Sequence, residues 1–264
     1  MDTTIVILLV CSGLLVGVIN TFAGAAAAIT MALFTALGLP INVANGTNRI
    51  PVLAQTLVMS IGFARQGYLD LSAGFRLAIP TICGAVFGSL YATHVNPTIF
   101  QYLLCTILII LLCVLLFNPQ RFMRNESLGN RKVRLADYFW FLLIGLYGGF
   151  FHIGIGYLIL TATIVGMGYN LMQANALKGF IVLSYIPFSL VVFIARGQVD
   201  FVYGLIHAAG NLVGAGVATY FASKIPLGLI RWSLVVMIFF TILDIFKIIS
   251  LQHTLENIFN LTLR

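Results

Sequence analysis

Eight long apolar segments occupy most of the chain, and they restrict the protein to a lipid environment. They run approximately over residues 5–39, 44–65, 71–93, 97–117, 137–168, 174–195, 200–223 and 227–250. About 20 helical residues cross a hydrocarbon core of roughly 30 Å, so six of the segments have ordinary spanning length. Because 61% of the 264 residues are hydrophobic and only 8% are charged, polar side chains could not cover a water-soluble particle of this size. The sequence predicts an all-α integral membrane protein with about 8 to 10 membrane helices.

The first and fifth segments are too long for one crossing. As single helices they would measure roughly 45 to 55 Å, and each contains an interruption of small residues. The interruptions are residues 20–28 (NTFAGAAAA) and 148–156 (GGFFHIGIG). Non-helical backbone at membrane depth is tolerated only where it lines a cavity or is buried in protein, which favours a broken or re-entrant helix facing an internal path. The alternative is that these small residues only let helices pack closely.

The chain repeats itself at an interval of 130 residues. The matches are Gly38 with Gly168, Ala44-Asn45 with Ala174-Asn175, Phe63 with Phe193, Gly67 and Asp70 with Gly197 and Asp200, Gly74 with Gly204, Ala78 with Ala208, and Gly84-Ala85 with Gly214-Ala215. Apolar repeats interrupted by glycine are typical of duplicated secondary transporters, whose site lies between the halves. Four crossings in each half would make the repeats parallel and five would make them inverted, and the distribution of basic residues leaves both arrangements open.

The clustering of basic residues marks a loop between the two repeats. Five of the fourteen Lys and Arg residues lie within residues 118–136, which predicts a basic cytoplasmic loop. A contact with lipid headgroups is compatible with the same placement, whereas a nucleic-acid partner is not predicted. The predicted organisation is a first membrane repeat over 1–117, this loop, a second repeat over 137–250 and a short tail over 251–264. The four cysteines lack any paired spacing, so neither a metal site nor a disulfide is expected.

Two polar clusters occupy matching places in the repeats. They are residues 44–49 (ANGTNR) and 173–178 (QANALK). Each opens a spanning segment, so backbone amides at the positive end of a helix are expected to join Asn and Thr side chains and one cation, Arg49 or Lys178, in binding an anion. The alternative is that the two cations extend to the lipid headgroups. The seven acidic residues all lie at termini, in loops or near segment ends, so no carboxylate pair marks a path for cations or protons.

His152 is the one ionisable residue inside a predicted interruption. It could titrate near neutral pH and couple anion movement to protons, and a buried neutral histidine bonded to backbone is the equally supported alternative. No motif of a hydrolase, metalloprotease or nucleotide-binding enzyme occurs, so neither an enzyme nor a cofactor is predicted.

These motifs together resemble the TauE/SafE sulfite exporter family over most of the chain. The resemblance is carried by Asn20-Thr-x-Ala-Gly24, residues 44–49, Gly148-Gly-Phe150 with Gly154-x-Gly156, and Ala174-Asn-Ala-Leu-Lys178. It implies movement of sulfur oxyanions or organosulfonates across the bacterial inner membrane, generally outward and without ATP. With His152 added from its position, the predicted substrate-binding residues are Asn20, Thr21, Gly24, Asn45, Thr47, Asn48, Arg49, His152, Asn175 and Lys178. Two features depart from the family, namely Ala25–Ala28 in the first interruption and His152 where glycine is commoner.

The leading hypothesis is a multi-pass secondary carrier for a small anion, with protons as a candidate coupling ion, lipids as neighbours and an oligomer compatible with the sequence. A passive anion channel would use the same residues without saturation or coupling. An envelope assembly factor would explain the apolar chain but not the two matched polar clusters. A membrane enzyme ranks last.

Overall fold

The computed structural model describes residues 2–24, 26–117, 131–222 and Phe239, and within these residues the regular structure is helical. The helices are α1 (Thr3–Ala23), α2 (Ala27–Ala36), α3 (Ile41–Thr47), α4 (Arg49–Arg65), α5 (Leu71–Ala92), α6 (Pro97–Phe117), α7 (Leu135–Phe150), α8 (Ile155–Thr161), α9 (Leu171–Ala195) and α10 (Phe201–Tyr220). A π-helical turn, Ala162–Gly166, follows α8. Most of the predicted basic loop, nearly all of the segment 227–250 and the tail 251–264 lie outside the described residues.

Four of the described helices are long and apolar enough to cross a membrane. They are Thr3–Phe22, Leu71–Ala92, Leu171–Ala195 and Phe201–Tyr220. Large apolar side chains cover their outer faces, as at Phe87 of α5 and Leu205 of α10, which are 65% and 60% exposed. In water this surface would be unfavourable, whereas in hydrocarbon it is the expected exterior. The prediction of a helical, multi-pass membrane protein is confirmed.

Both overlong segments are divided between consecutive helices. In the first segment α1 ends at Ala23 and α2 begins after Gly24, whose φ of 69° lies in the left-handed region. In the second segment α7 ends at Phe150 and α8 begins after Gly154, whose φ is 74°. Residues with a side chain rarely adopt this conformation, so glycine is what allows each helix to stop and turn within a few residues.

Glycine also brings α1 and α10 into backbone contact. A Cβ at Gly13 would overlap the carbonyl oxygen of His207, and one at Gly17 would overlap that of Asn211. Because the contacts advance along both helices in the same direction, α1 and α10 run parallel. Close backbone approach between small residues is the usual way in which helices associate in a membrane.

The same arrangement joins α5 and α7. A Cβ at Gly84 would overlap the carbonyl oxygen of Leu142, and one at Gly88 would overlap that of Leu146. These two helices therefore also run parallel. Helix α1 of the first half thus packs on α10 of the second, and α7 of the second half packs on α5 of the first.

Helices α4 and α9 meet in the opposite sense. The guanidinium carbon of Arg49, at the start of α4, lies 5.2 Å from the ring centroid of Phe193, near the end of α9. Met59, in the second half of α4, lies against Gly179, near the start of α9, where a Cβ would come within 3.2 Å of the Met59 Cβ. The two helices are antiparallel.

Turns with left-handed glycines recur at the interval of the sequence repeat. The three pairs, each 130 positions apart, are Gly24 (φ 69°) with Gly154 (φ 74°), Gly38 (φ 95°) with Gly168 (φ 84°), and Gly67 (φ 76°) with Gly197 (φ 64°). After the last pair, Asp70 and Asp200 accept from the amides of Ala73 and Tyr203, both at 3.0 Å. These aspartates cap α5 and α10.

Candidate functional site

The two breaks touch each other inside the protein. A Cβ placed on Gly24 would overlap the Cα of Gly156, and a Cβ on Gly156 would overlap the Cα of Gly24. The backbone after α1 and the first turn of α8 therefore cross with no side chain between them. Only glycine at both positions permits this approach.

A small cavity lies beside this crossing. Its volume is about 20 Å³, which is room for about one water molecule. Its walls come from both breaks and from α4 and α9, namely Asn20, Gly24, Val52, Gln55, Thr56, Met59, His152, Ile155, Gly156, Lys178, Gly179 and Val182. Four of the residues predicted from the sequence meet here, and they are Asn20, Gly24, His152 and Lys178.

Lys178 supplies the positive charge of the cavity wall. Its side chain is 3% exposed, and its Nζ donates to the carbonyl oxygens of Asn20 (3.2 Å) and Thr21 (2.7 Å) and to Oδ1 of Asn175 (2.7 Å). All three ammonium protons thus have acceptors. Since the two carbonyls belong to the last turn of α1, Lys178 stabilises the negative end of that helix dipole at the break.

Arg49 does the same for the other broken helix. It is fully buried, and it donates from Nη1 to the carbonyl of Gly148 (2.7 Å) and from Nη2 to that of Gly149 (2.8 Å). Asn45 accepts from Nη2 at 3.3 Å and donates to the carbonyl of Phe150 at 2.9 Å. Arg49 and Asn45 together therefore cap the last turn of α7, and Arg49 does not line the cavity.

The two cations form a reciprocal pair. Each lies on a helix of one half of the sequence and caps the broken helix of the other half. Among the described residues the only ion pair joins Arg131 and Asp137, so no carboxylate balances Arg49 or Lys178 there. A buried charge that is balanced only by carbonyl dipoles is costly and creates a positive potential around it. A small anion is the ligand that this potential favours.

His152 occupies the second break in a strained backbone conformation. Its φ of 63° makes it the one non-glycine residue with positive φ in the described part of the chain. The side chain is 3% exposed, and its Nδ1 lies 2.8 Å from the hydroxyl of Tyr185 on α9. A left-handed residue with a side chain costs about 1 to 2 kcal/mol, and such strain is concentrated at functional sites.

In each polar cluster one backbone amide is used in a helical hydrogen bond. The amide of Asn48 donates to the carbonyl of Ala44 at 3.0 Å, and the amide of Ala174 donates to that of Asn170 at 2.9 Å. Helices α3 and α9 begin upstream of the clusters, so these amides are already used in helical hydrogen bonds. The cations of the clusters face the carbonyl ends of other helices instead.

Several predicted residues have other partners. The hydroxyl of Thr47 accepts from the amide of Asp200 at 2.8 Å, at the start of α10. Asn48 is buried outside the cavity, and its Nδ2 has no partner among the described residues. Thr21 donates its hydroxyl to the carbonyl of Gly17 at 2.7 Å and reaches Lys178 only through its own carbonyl.

Gln55, like its neighbour Thr56, is a polar cavity residue that the sequence analysis missed. It is buried on α4, and its Oε1 accepts from Nδ2 of Asn20 at 3.1 Å. Its counterpart at the 130-residue interval is Tyr185, the partner of His152. Each break is thus contacted by a polar side chain at the same register position of α4 or α9. The repeat, applied to the middle of these helices, would have identified the pair.

The described residues form apolar helical spans with a buried cationic site between two broken helices, which is the architecture of a membrane transporter. Residues 9–245 match the family described as "Sulfite exporter TauE/SafE", and the chain belongs to this family.

The chain is similar over most of its length to bacterial proteins named as membrane transporters. A "Probable membrane transporter protein" of Haemophilus influenzae is 27% identical over 236 residues, which cover 88% of this chain and 91% of that protein. "Probable membrane transporter protein ORF9" of a Sinorhizobium species is 26% identical over 78% of each chain. "Probable membrane transporter protein YfcA" of Escherichia coli K12 is 25% identical over 76% of this chain and 75% of its own. No solved structure matches this chain.

Proposed function

We propose that the protein is a secondary transporter that moves small sulfur-containing anions, such as sulfite or an organosulfonate, outward across the bacterial inner membrane. The family supports the substrate class and the direction. The observation that carries the proposal is Lys178, a buried cation without a carboxylate partner in the described residues, in the wall of a small cavity between two breaks. Arg49 does not line this cavity, and its guanidinium holds the end of α7.

The small size of the cavity supports a carrier rather than a channel. Its volume of about 20 Å³ is too small for sulfite or a sulfonate, so the walls must separate before an anion can enter. An incoming anion would then take hydrogen bonds that Lys178 now gives to the carbonyls of Asn20 and Thr21. The end of α1 would lose part of its cap, which links substrate binding to movement at the break.

We further propose that residues 1–117 and 137–250 are two inverted repeats. The left-handed glycines at a constant interval, the antiparallel α4 and α9 and the reciprocal caps all support this arrangement. In transporters of this kind the site lies at the interface of the halves, and rocking of one half against the other exposes it to each side in turn.

Flux measured in proteoliposomes tests the proposal. Purified protein is expected to take up a labelled sulfonate with saturation, and sulfonate on the opposite side of the membrane is expected to accelerate exchange. Sulfite should compete, whereas an uncharged analogue of the same size should not. Flux that rises linearly with concentration and shows no exchange would point to a channel instead. A preference for uncharged solutes would contradict the anion site itself.

His152 is the proposed point of coupling to protons, because its imidazole lines the cavity. Its test uses a sulfonate, whose charge is constant, over an interval that covers about pH 5.5 to 7.5, where an ordinary histidine titrates, and extends well below it, because burial disfavours the charged imidazole. Flux through the parent should vary over this interval, and His152→Gln should flatten the dependence. An unchanged profile in the Gln variant would assign His152 to structure alone.

A further inference from the structure

A second cavity lies at the beginning of α5, away from the cavity between the breaks. Its volume is about 130 Å³, large enough for several water molecules and hence for a phosphate group. The polar residues in its wall are Asp70, Ser72, Arg76, Arg131, Lys132 and Tyr169. Three cations thus face one carboxylate.

Both oxygens of the Asp70 carboxylate already accept hydrogen bonds. Asp70 accepts from the amide of Ala73 at 3.0 Å through Oδ1 and from the hydroxyl of Tyr169 at 2.7 Å through Oδ2. Burial, together with the neighbouring carboxylate, raises the pKa of the Tyr169 phenol well above its ordinary value, so that this donor stays in place. Arg131 is held by the two oxygens of Asp137 at 2.6 and 2.7 Å.

Arg76 and Lys132 remain as exposed cations that have no ion pair within the described residues. They flank the first turn of α5, where the helix dipole adds further positive potential. The cavity therefore combines two available cations with a fixed polar floor. An anion with several acceptor oxygens fits this combination.

The surface next to the cavity indicates that the anion carries acyl chains. Ser72, Arg76 and Ile79 follow one another at helical spacing on one face of α5, and Ile79 is 64% exposed. Phe75, on the adjacent face, is 60% exposed. The face is polar where the helix begins and apolar one turn further on, as expected beside a phospholipid whose headgroup lies at the helix start.

The corresponding corner of the other half lacks these cations. At the 130-residue interval, Ile206 stands for Arg76, Val202 for Ser72 and Asp2 for Lys132. Capping of the helix by an aspartate does not require these cations, since Asp200 caps α10 in the same way with Ile206 and Asp2 at the matching positions. Within the described residues, the repeat therefore does not place these two cations at the start of α10.

We propose that this cavity binds the phosphate of an anionic phospholipid, with Arg76 and Lys132 as its direct contacts. Basic cavities beside membrane helices bind such headgroups, and each basic residue near an anionic membrane surface strengthens binding roughly 5-fold. The site is independent of the proposed transport substrate, because it shares no wall residue with the cavity between the breaks.

Native mass spectrometry of the full chain in a neutral detergent tests this assignment. Phosphatidylglycerol, phosphatidylcholine and glycerol phosphate are titrated into the parent and into the double variant Arg76→Gln/Lys132→Gln. A matched double variant, Arg65→Gln/Arg196→Gln, removes two exposed cations that line neither cavity.

Phosphatidylglycerol should bind the parent more tightly than phosphatidylcholine, and the cavity variant should weaken its binding about 30-fold, as the product of two roughly 5-fold effects. The matched variant should bind it as the parent does. Equal loss in both double variants would mean that only overall charge matters, and the assignment would be wrong. Glycerol phosphate binding as tightly as the lipid would assign the cavity to a free phosphate ester and also overturn it.

Discussion

Replacing Lys178 with methionine tests separately what the buried charge contributes to the stability of the fold and to anion binding. Methionine keeps most of the side-chain volume but removes the donor to the Thr21 carbonyl and to Oδ1 of Asn175, while the Asn20 carbonyl still accepts from the amide of Gly24. Each buried acceptor left unpaired costs about 1 to 3 kcal/mol. Removing the desolvated ammonium returns several kcal/mol, since no carboxylate balances it in the described residues. These effects oppose each other, so we expect the free energy of unfolding to change by less than about 3 kcal/mol.

The effect of the same change on transport has no such compensation. A bound anion would lose a charge-assisted hydrogen bond of about 1.5 to 3 kcal/mol, which corresponds to roughly 10- to 150-fold weaker binding. Thermal unfolding in detergent and sulfonate flux in proteoliposomes measure the two effects on one preparation. Arg65→Met, which removes an exposed cation at the end of α4, is the matched control. If Lys178→Met folds and transports at the parental rate, the anion site does not include Lys178.

Three further perturbations test the breaks. Arg49→Lys keeps the charge but cannot donate to Gly148 and Gly149 in the same geometry, so we expect a lower melting temperature by an equivalent of about 1 to 3 kcal/mol, with transport reduced in proportion to the folded fraction lost. Gly24→Ala places a methyl group against the backbone of Gly156 and puts a residue with a side chain in the left-handed conformation, so this variant should fail to fold or to transport. Gly166 has open space around it, so Gly166→Ala should fold and transport like the parent. His152→Gly should unfold at a higher temperature than His152→Val, because glycine relieves the left-handed strain by about 1 kcal/mol and a β-branched residue increases it.

The fold could be predicted as far as local sequence determines it. Segment lengths and glycine-rich interruptions indicated the helices and the two breaks, since a helix that stops inside a membrane needs particular residues. Helices α3 and α9 begin at Ile41 and Leu171, three residues before the predicted starts at 44 and 174. Pro40 and Asn170 directly precede them. Asn170 caps α9 by accepting from the amide of Gln173 at 2.9 Å, which is a signal that is visible in the sequence.

The candidate site could be predicted only in part, because its contacts are distant in sequence. The interruptions and the clusters identified Asn20, His152 and Lys178, and these do line one cavity. Nothing in the residues around Arg49 indicates that its guanidinium binds the carbonyls of Gly148 and Gly149, about 100 positions away. Such a partner follows from how the two halves pack on each other, which a single sequence does not specify.

The use of carbonyl caps also explains how a site of this kind can hold its charge without substrate. A carboxylate beside Lys178 would stabilise the ammonium strongly, but an anion could displace it only at the cost of leaving that carboxylate unpaired in low dielectric. The carbonyl ends of a helix carry only about half a negative charge, so an anion competes with them on better terms. Replacing Thr56, which lines the same cavity, with Asp would test this account. The variant should fold with a neutralised site and bind sulfonate at least 10-fold more weakly than Thr56→Asn, which adds similar bulk without charge. Equal binding by the two variants would mean that the charge balance at Lys178 does not control the anion.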